Sequence, residues 1–240
     1  MKNAVVFLAT GFEEIEALGT IDVLRRGGVR VMMVSITGDR LVIGAHDIPV
    51  MADYLFEEAD FSCVDALILP GGIPGSNHLN AHAHLKELVK EKTEEGVLIG
   101  AICAGPMVLG GLGLLKGKRA TCFPFFEPTM VGATPTDNGV EQDGNIITSK
   151  GPGFMFEFGL TILRNLKDEE IQTIMDERLA KEAFPIILLP DMVANPDPDT
   201  SYTVIYKVYS GRGNGNYAMS FYYSKEDNTY TWDEMTPVMQ

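Results

Sequence analysis

The chain is poor in cysteine, histidine and tryptophan, and its basic residues fall well short of its acidic ones. Cys63, Cys103 and Cys122 are its only thiols. An odd count without metal-ligand spacing argues against a disulfide framework or a zinc module, and points to a reducing cytoplasm. Nineteen Lys and Arg face 33 Asp and Glu, a formal charge of −14. That balance disfavours nucleic acid and anionic membrane surfaces as partners, since both are polyanions. No apolar run approaches membrane-spanning length. The apolar start, Met1 to Thr10, is short and meets Glu13 and Glu14 at once, so no signal peptide is expected. With 45% apolar and 22% charged residues, 240 positions suit one large globular domain, or a domain with an appendage.

The most informative stretch is Val97-Leu98-Ile99-Gly100-Ala101-Ile102-Cys103-Ala104-Gly105-Pro106. Its apolar half reads as a strand buried on both faces, as in a parallel sheet covered by helices. Small residues and a helix-opening Pro106 follow Cys103, so the thiol sits at a tight strand-to-helix turn. That places it at the carboxyl edge of the sheet, where open α/β folds bind ligands. A helix N-terminus there favours the thiolate. The competing reading is a buried, inert cysteine at a strand end.

Other segments extend the α/β pattern. Val5 to Leu8 reads as a first buried strand. Glu13 to Arg26 reads as an amphipathic helix with Ile15, Leu18, Ile21 and Val23/Leu24 on its apolar face. Glu13 and Glu14 read as acids placed for the helix dipole. Val29 to Ile36 and Val64 to Leu69 are further strands, the latter ending in Pro70-Gly71-Gly72. Leu41 to Ile43 and Ile48 to Val50 flank Gly44-Ala45-His46-Asp47 as a small hairpin, with Pro49 arguing for an edge. His46 is an exposed turn histidine or, if the hairpin folds toward the elbow, a proton carrier or anion-binding group. His78 and His82 share a metal-pair spacing, but no HExxH pattern or third ligand accompanies them. Gly110, Gly111 and Gly113 make no dinucleotide fingerprint. No metal and no cofactor are expected. Met107 to Leu115 reads as a helix, Val140-Glu141 and Asn145 to Ile147 as short strands, and 153–166 and 168–179 as closing helices.

Four motifs in order resemble the ThiJ/PfpI superfamily, of the class I glutamine amidotransferase-like group. They are Gly11-Phe12-Glu13-Glu14-Ile15-Glu16, Leu69-Pro70-Gly71-Gly72, Ala101-Ile102-Cys103-Ala104-Gly105-Pro106, and Thr148-Ser149-Lys150-Gly151-Pro152-Gly153 through Glu157. The nearest branch is that of the human Parkinson-disease protein and bacterial ThiJ-like proteins. The resemblance covers about residues 1–181. It implies a flavodoxin-like three-layer sandwich with a mostly parallel central sheet, and a homodimer. It implies that Glu16 hydrogen-bonds the nucleophile Cys103, and that the Gly72 and Ala104 amides form an oxyanion hole. Retention of one proton by two neighbouring acids, with Glu16 donating to a thiolate, would lower the thiol's pKa. His46, Gly71 and Phe123 are candidate pocket residues.

Three departures qualify the resemblance. Phe123 stands where human-type members carry a histidine, and His46 where they carry an arginine. Ala104 stands where the protease-like branch has a histidine, so a Cys–His base pair of that type is absent and peptidase activity is not expected. All four histidines precede Cys103.

Beyond residue 183 the composition changes: seven of the eight tyrosines and the tryptophan lie there. Met192 to Thr200 reads as a linker. Alternation over Tyr202 to Val208 and Tyr217 to Tyr223, with Thr229 to Trp232 as a third strand, reads as a β-meander. Residues 1–182 are thus expected to form the α/β domain and 183–240 a β-rich extension.

Three functions fit these residues. The first is a stress-response enzyme using Cys103 on small reactive carbonyls, as glyoxalase or deglycase, or on small amides or esters. The second is a redox sensor or chaperone that oxidises at Cys103. The third is a binding module using the meander.

Overall fold

The computed structural model describes residues 1–167 and, beyond them, the backbone of strands at 201–210, 213–224, 229–232 and 236–238. The chain divides into two compact units, Met1–Gln172 and Thr173–Gln240. The expected helix at 168–179, the linker at 192–200 and the boundary at 182 lie outside the described residues.

The first unit runs β1 (Asn3–Leu8), α1 (Glu14–Arg26), β2 (Arg30–Ser35), β3 (Leu41–Ile43), β4 (Pro49–Met51), β5 (Tyr54–Leu55) and β6 (Ala66–Leu69). It continues through α2 (Gly75–Ala81), α3 (Ala83–Glu94), β7 (Leu98–Ile102), α4 (Pro106–Gly111), β8 (Arg119–Ala120) and β9 (Thr134–Pro135). Then come β10 (Val140–Asp143), β11 (Ile146–Ser149) and α5 (Met155–Leu166).

Seven strands form the central sheet in the order β10-β11-β7-β6-β1-β2-β5. Every pair in it is parallel except β10 with β11. Strands β6 and β7 are buried along their whole length, which explains their unbroken apolar sequence. Alternate residues serve two layers. Val5, Phe7, Leu67, Leu69 and Ile99 join Leu79, Leu85, Val89 and Val108 in one core. On the other face Gly100 lies under Ile162 and Phe158 of α5, and α1 packs on α5 through Gly19 against Met155. This is the expected three-layer α/β sandwich.

Order in the sheet reverses at β1. From it the chain steps outward to β2, then returns to β6 and β7 on the other side. Three carboxyl ends (β1, β6 and β7) therefore lie side by side at a switch point, where such sheets hold ligands.

Two elements differ from the sequence-based expectation. Ile15 is exposed, whereas Glu14 and Glu16 are buried on α1. The first turn of this helix faces polar partners, so its buried stripe there is acidic. Helix α4 ends at Gly111 rather than Leu115. Gly113 and Gly117 turn the chain with positive φ, and Gly110 packs directly on the Thr129 carbonyl.

The second unit has β12 (Ser201–Ser210), β13 (Gly213–Ser224), β14 (Thr229–Trp232) and β15 (Thr236–Val238). Strand β13 pairs antiparallel with β12, and on its other side with β14 and then β15. The fourth strand was not expected, because Pro237 interrupts the alternating pattern.

Candidate functional site

Cys103 follows the last residue of β7 and has φ 62°, a left-handed conformation rare for a side-chain-bearing residue. Backbone bonds hold it there from both sides. Its N–H donates to the Ser149 carbonyl at 2.8 Å, and its own carbonyl accepts from the Phe123 N–H at 2.9 Å. The strain costs about 1–3 kcal/mol and turns the sulfur out of the sheet. Gly105 is required beside it, since a Cβ would stand 2.5 Å from the Leu69 carbonyl oxygen.

Glu16 comes to the same point from α1 and is wholly buried. Its Oε2 accepts the Gly71 N–H at 2.8 Å, and its carboxyl hydrogen-bonds the Cys103 thiol. Oε1 is buried without a partner among the described residues. Gly71 is enclosed between these two groups, because a Cβ there would collide with both the carboxyl and the cysteine. It therefore supports the pair from behind rather than facing the cavity. The Gly72 and Ala104 amides both hydrogen-bond the sulfur. Gly72 reaches it with φ 89°, and a Cβ there would strike the backbone of Gly11 and Glu13.

The electrostatics correct one expectation. Burial raises Glu16 to about 7, with bonds from Cys103 and Gly71 opposing and the Glu13 charge adding to the rise. Burial also raises the Cys103 thiol above its ordinary value, as do the charge and hydrogen bond of Glu16; the two amides pull the other way. The sulfur is thus not acidified by its neighbour. Two acids in one dry site disfavour a second negative charge, so the pair retains a proton beyond neutrality.

The site is open. A cavity of about 360 Å³ is lined by Cys103, Ala104, Gly72 and Glu16, with Glu13, His46, Ile73, Phe123, Phe126 and Pro152 around them. Phe123 and Phe126 meet edge to face at 6.5 Å and form an aromatic wall. A larger cavity, about 460 Å³, lies at the opposite ends of the strands near Lys2, Asp65 and Leu98; its lining has no thiol.

The hairpin β3–β4 does fold toward the elbow. Glu14, 5% exposed, anchors it. Its Oε1 accepts the His46 N–H at 2.7 Å and the Ile48 N–H at 3.4 Å, and its Oε2 accepts from His46 Nδ1 at 2.8 Å. Gly44 leaves room for this carboxylate. Burial would raise Glu14, but the bonds from His46 and Ile48 hold it low. His46 is raised by its bond to Glu14, then by the charges of Glu13, Glu14 and Asp47. Burial raises Glu13, with His46 opposing.

The other histidines are engaged elsewhere. His78 Nδ1 bonds the Thr10 carbonyl at 3.0 Å, and His82 accepts from Leu85 N–H as the cap of α3. Glu13, Glu14 and His46 have potential metal-ligating atoms within 4.8 Å of one another. Of these, Glu14 and His46 already satisfy each other. Cys63 is exposed and Cys122 buried, the latter raised to about 11 by burial and Glu127. Sequence reasoning missed Glu13 and Glu14 as site residues. The available signal was three acids in one helical turn, more than a dipole requires.

Among the described residues no helix is long and apolar enough to cross a membrane. The model of the DJ-1/PfpI family matches residues 2–165. "Protein DJ-1 homolog B" of Arabidopsis thaliana is 36% identical over 205 residues, which cover 85% of this chain and 44% of the relative. The chain spans about half the length of the two Arabidopsis relatives it matches. "Glutathione-independent glyoxalase DJR-1.2" of Caenorhabditis elegans is 37% identical, with 70% of this chain and 91% of the relative covered. Among solved structures, Drosophila melanogaster DJ-1beta superposes with a TM-score of 0.70 at 35% identity, covering 75% of this chain and 97% of that one. The oxidized form of Toxoplasma gondii DJ-1 gives 0.71 at 32%, covering 75% and 98%. Sheet order, elbow and family match agree, and the chain belongs to the DJ-1/PfpI family.

Proposed function

We propose that this chain is a cysteine enzyme acting on small reactive carbonyl compounds, 2-oxoaldehydes first among them. The observation that carries this reading is a thiol in an open cavity, met by a buried carboxyl near neutrality and by two backbone N–H groups. The relative named a glyoxalase supports it.

The chemistry follows from those contacts. The Cys103 sulfur bonds the aldehyde carbon while its proton passes to Glu16. The carbonyl oxygen becomes an alkoxide held by the Gly72 and Ala104 amides, donors whose loss costs about 10²–10³ in rate. Glu16 returns the proton, giving a hemithioacetal. Glu16 then takes the proton from the carbon bearing sulfur and delivers it to the neighbouring carbonyl carbon. The hydroxyl proton of the sulfur-bearing carbon passes to the neighbouring oxygen, so that the first C–O becomes a carbonyl and the second a hydroxyl. A 2-hydroxy thioester results. Water cleaves it to the 2-hydroxy acid and restores the thiol. A carboxyl with a pKa of about 7 is suited both to take and to give a proton at neutral pH.

The alternative is a sensor that oxidises at Cys103, and a relative's structure is described as oxidized. A sensor needs only a reachable thiol, whereas this one faces a carboxyl suited to proton transfer and two backbone amides placed for an oxyanion. The enzyme reading is therefore preferred. Turnover of methylglyoxal by the native chain and by Cys103→Ser tests it. Loss of turnover in the variant is expected, and unchanged turnover overturns the reading.

A further inference from the structure

Glu14 binds one imidazole and two backbone amides of the hairpin turn. The backbone also ties this turn to the start of α1, through Gly11 N–H to the Ile43 carbonyl and Ala45 N–H to the Phe12 carbonyl, both at 2.8 Å. That arrangement fixes the His46 ring by its Nδ1, and among the described residues Nε2 has no hydrogen-bond partner. The ring lines the same cavity as Cys103.

We infer that Glu14 and His46 form a substrate-docking pair: His46 Nε2–H donates to a second oxygen of the compound whose aldehyde carbon meets Cys103, and the ligand class is a neutral vicinal dicarbonyl. This deepens the reading above and rests on it. Glu14 is the positioning residue, acting through His46.

Two arguments select the ligand. The first is the donor inventory. Glu13 and Glu16 accept hydrogen bonds when ionised, and Phe123 and Phe126 offer none. His46 is the polar side chain in the lining whose free atom is a standing donor once the ring is protonated. The second is charge. The groups facing the imidazole are Glu14 at 2.8 Å, Glu13 at 3.6 Å and the adjacent Asp47. They favour the protonated ring, the form in which Nε2 donates, and they also cancel its charge. Glu16 adds negative charge deeper in the cavity once ionised. An anionic 2-oxo acid meets no net positive charge here, whereas a carbonyl oxygen needs only the hydrogen bond.

Three aldehydes separate these features. Methylglyoxal has a neutral second oxygen, glyoxylate a charged one and propanal none. The measurement is protection of Cys103 from iodoacetamide by each, read by mass spectrometry. The native chain is expected to be half-protected by methylglyoxal at the lowest concentration of the three. His46→Ala is expected to raise the methylglyoxal concentration relative to propanal about tenfold, the scale of one lost hydrogen bond. His46→Gln, which keeps a donor, should recover part of that ratio, and Glu14→Gln should resemble His46→Ala. An unchanged methylglyoxal-to-propanal ratio in His46→Ala overturns the inference, as does better protection by glyoxylate. His46 is largely exposed, so its variants are expected to fold. Absence of methylglyoxal turnover in the native chain would sink the enzyme reading, while the protection series still decides the docking pair.

Discussion

Glu16 Oε2 accepts the N–H of Gly71, 55 positions away, at 2.8 Å, and the same carboxyl bonds the elbow thiol. This one contact ties the start of α1 to the loop after β6 at the point where β7 delivers Cys103. Its consequences are measurable.

Gly71→Ala should disrupt the pair without replacing either acid. The added methyl meets both the Glu16 carboxyl and the Cys103 Cβ. A stability loss of about 1–3 kcal/mol is expected from overpacking. The rate and pH dependence of iodoacetamide alkylation at Cys103 should change with it. A variant with native stability and a native alkylation profile would contradict the described packing.

Glu16→Gln should change how stability depends on pH. The folded carboxyl titrates at about 7, against 4.5 ordinarily. The folded state then binds the proton more tightly than the unfolded one, so stability falls as pH rises between those values. Below pH 4.5 both states are protonated and the term vanishes. Above pH 7 native Glu16 carries the full penalty, roughly 3 kcal/mol for a shift of this size, and the glutamine variant does not. Urea unfolding of both proteins from pH 4 to 8.5 should show the gap opening over that window.

Catalysis should run the opposite way with pH. The proposed first step needs Glu16 ionised to take the thiol proton, so kcat/KM for methylglyoxal should rise through about pH 7. A flat profile from pH 5.5 to 8.5 would remove Glu16 from that role.

His46 should titrate above its usual range, because its Glu14 bond and the Glu13, Glu14 and Asp47 charges favour the imidazolium. Glu14→Gln removes the first of these. The His46 ring resonance followed by NMR should then titrate at lower pH than in the native chain.

A chain ended after residue 182 should keep the site. The seven-stranded sheet, the elbow and the residues matched by the family model all precede residue 167. Comparable methylglyoxal turnover by the shortened and full chains is the expected result. Its loss would assign the 183–240 segment a part in the α/β domain.

The sequence itself carried the strand–elbow–helix pattern. Buried strands are continuous apolar runs, and a nucleophile turn needs small residues around Cys103, so composition betrays both. The partnership of Glu16 with Cys103 and the amides of Gly72 and Ala104 came from motif resemblance, and the coordinates supply its geometry. A helix start explains Glu14 locally as a dipole acid. Only folding of the hairpin onto α1 shows it holding His46. Periodicity puts Ile15 on the apolar face because it is blind to a first turn whose partners are polar. The direction of the Cys103 shift was also hidden, since it depends on how far two acids are removed from water together. Local pattern thus determined which elements form and where the thiol stands along the chain. Tertiary structure decided which charges face one another across elements distant in sequence, because electrostatic energies depend on separation and burial, and neither is written in the order of residues.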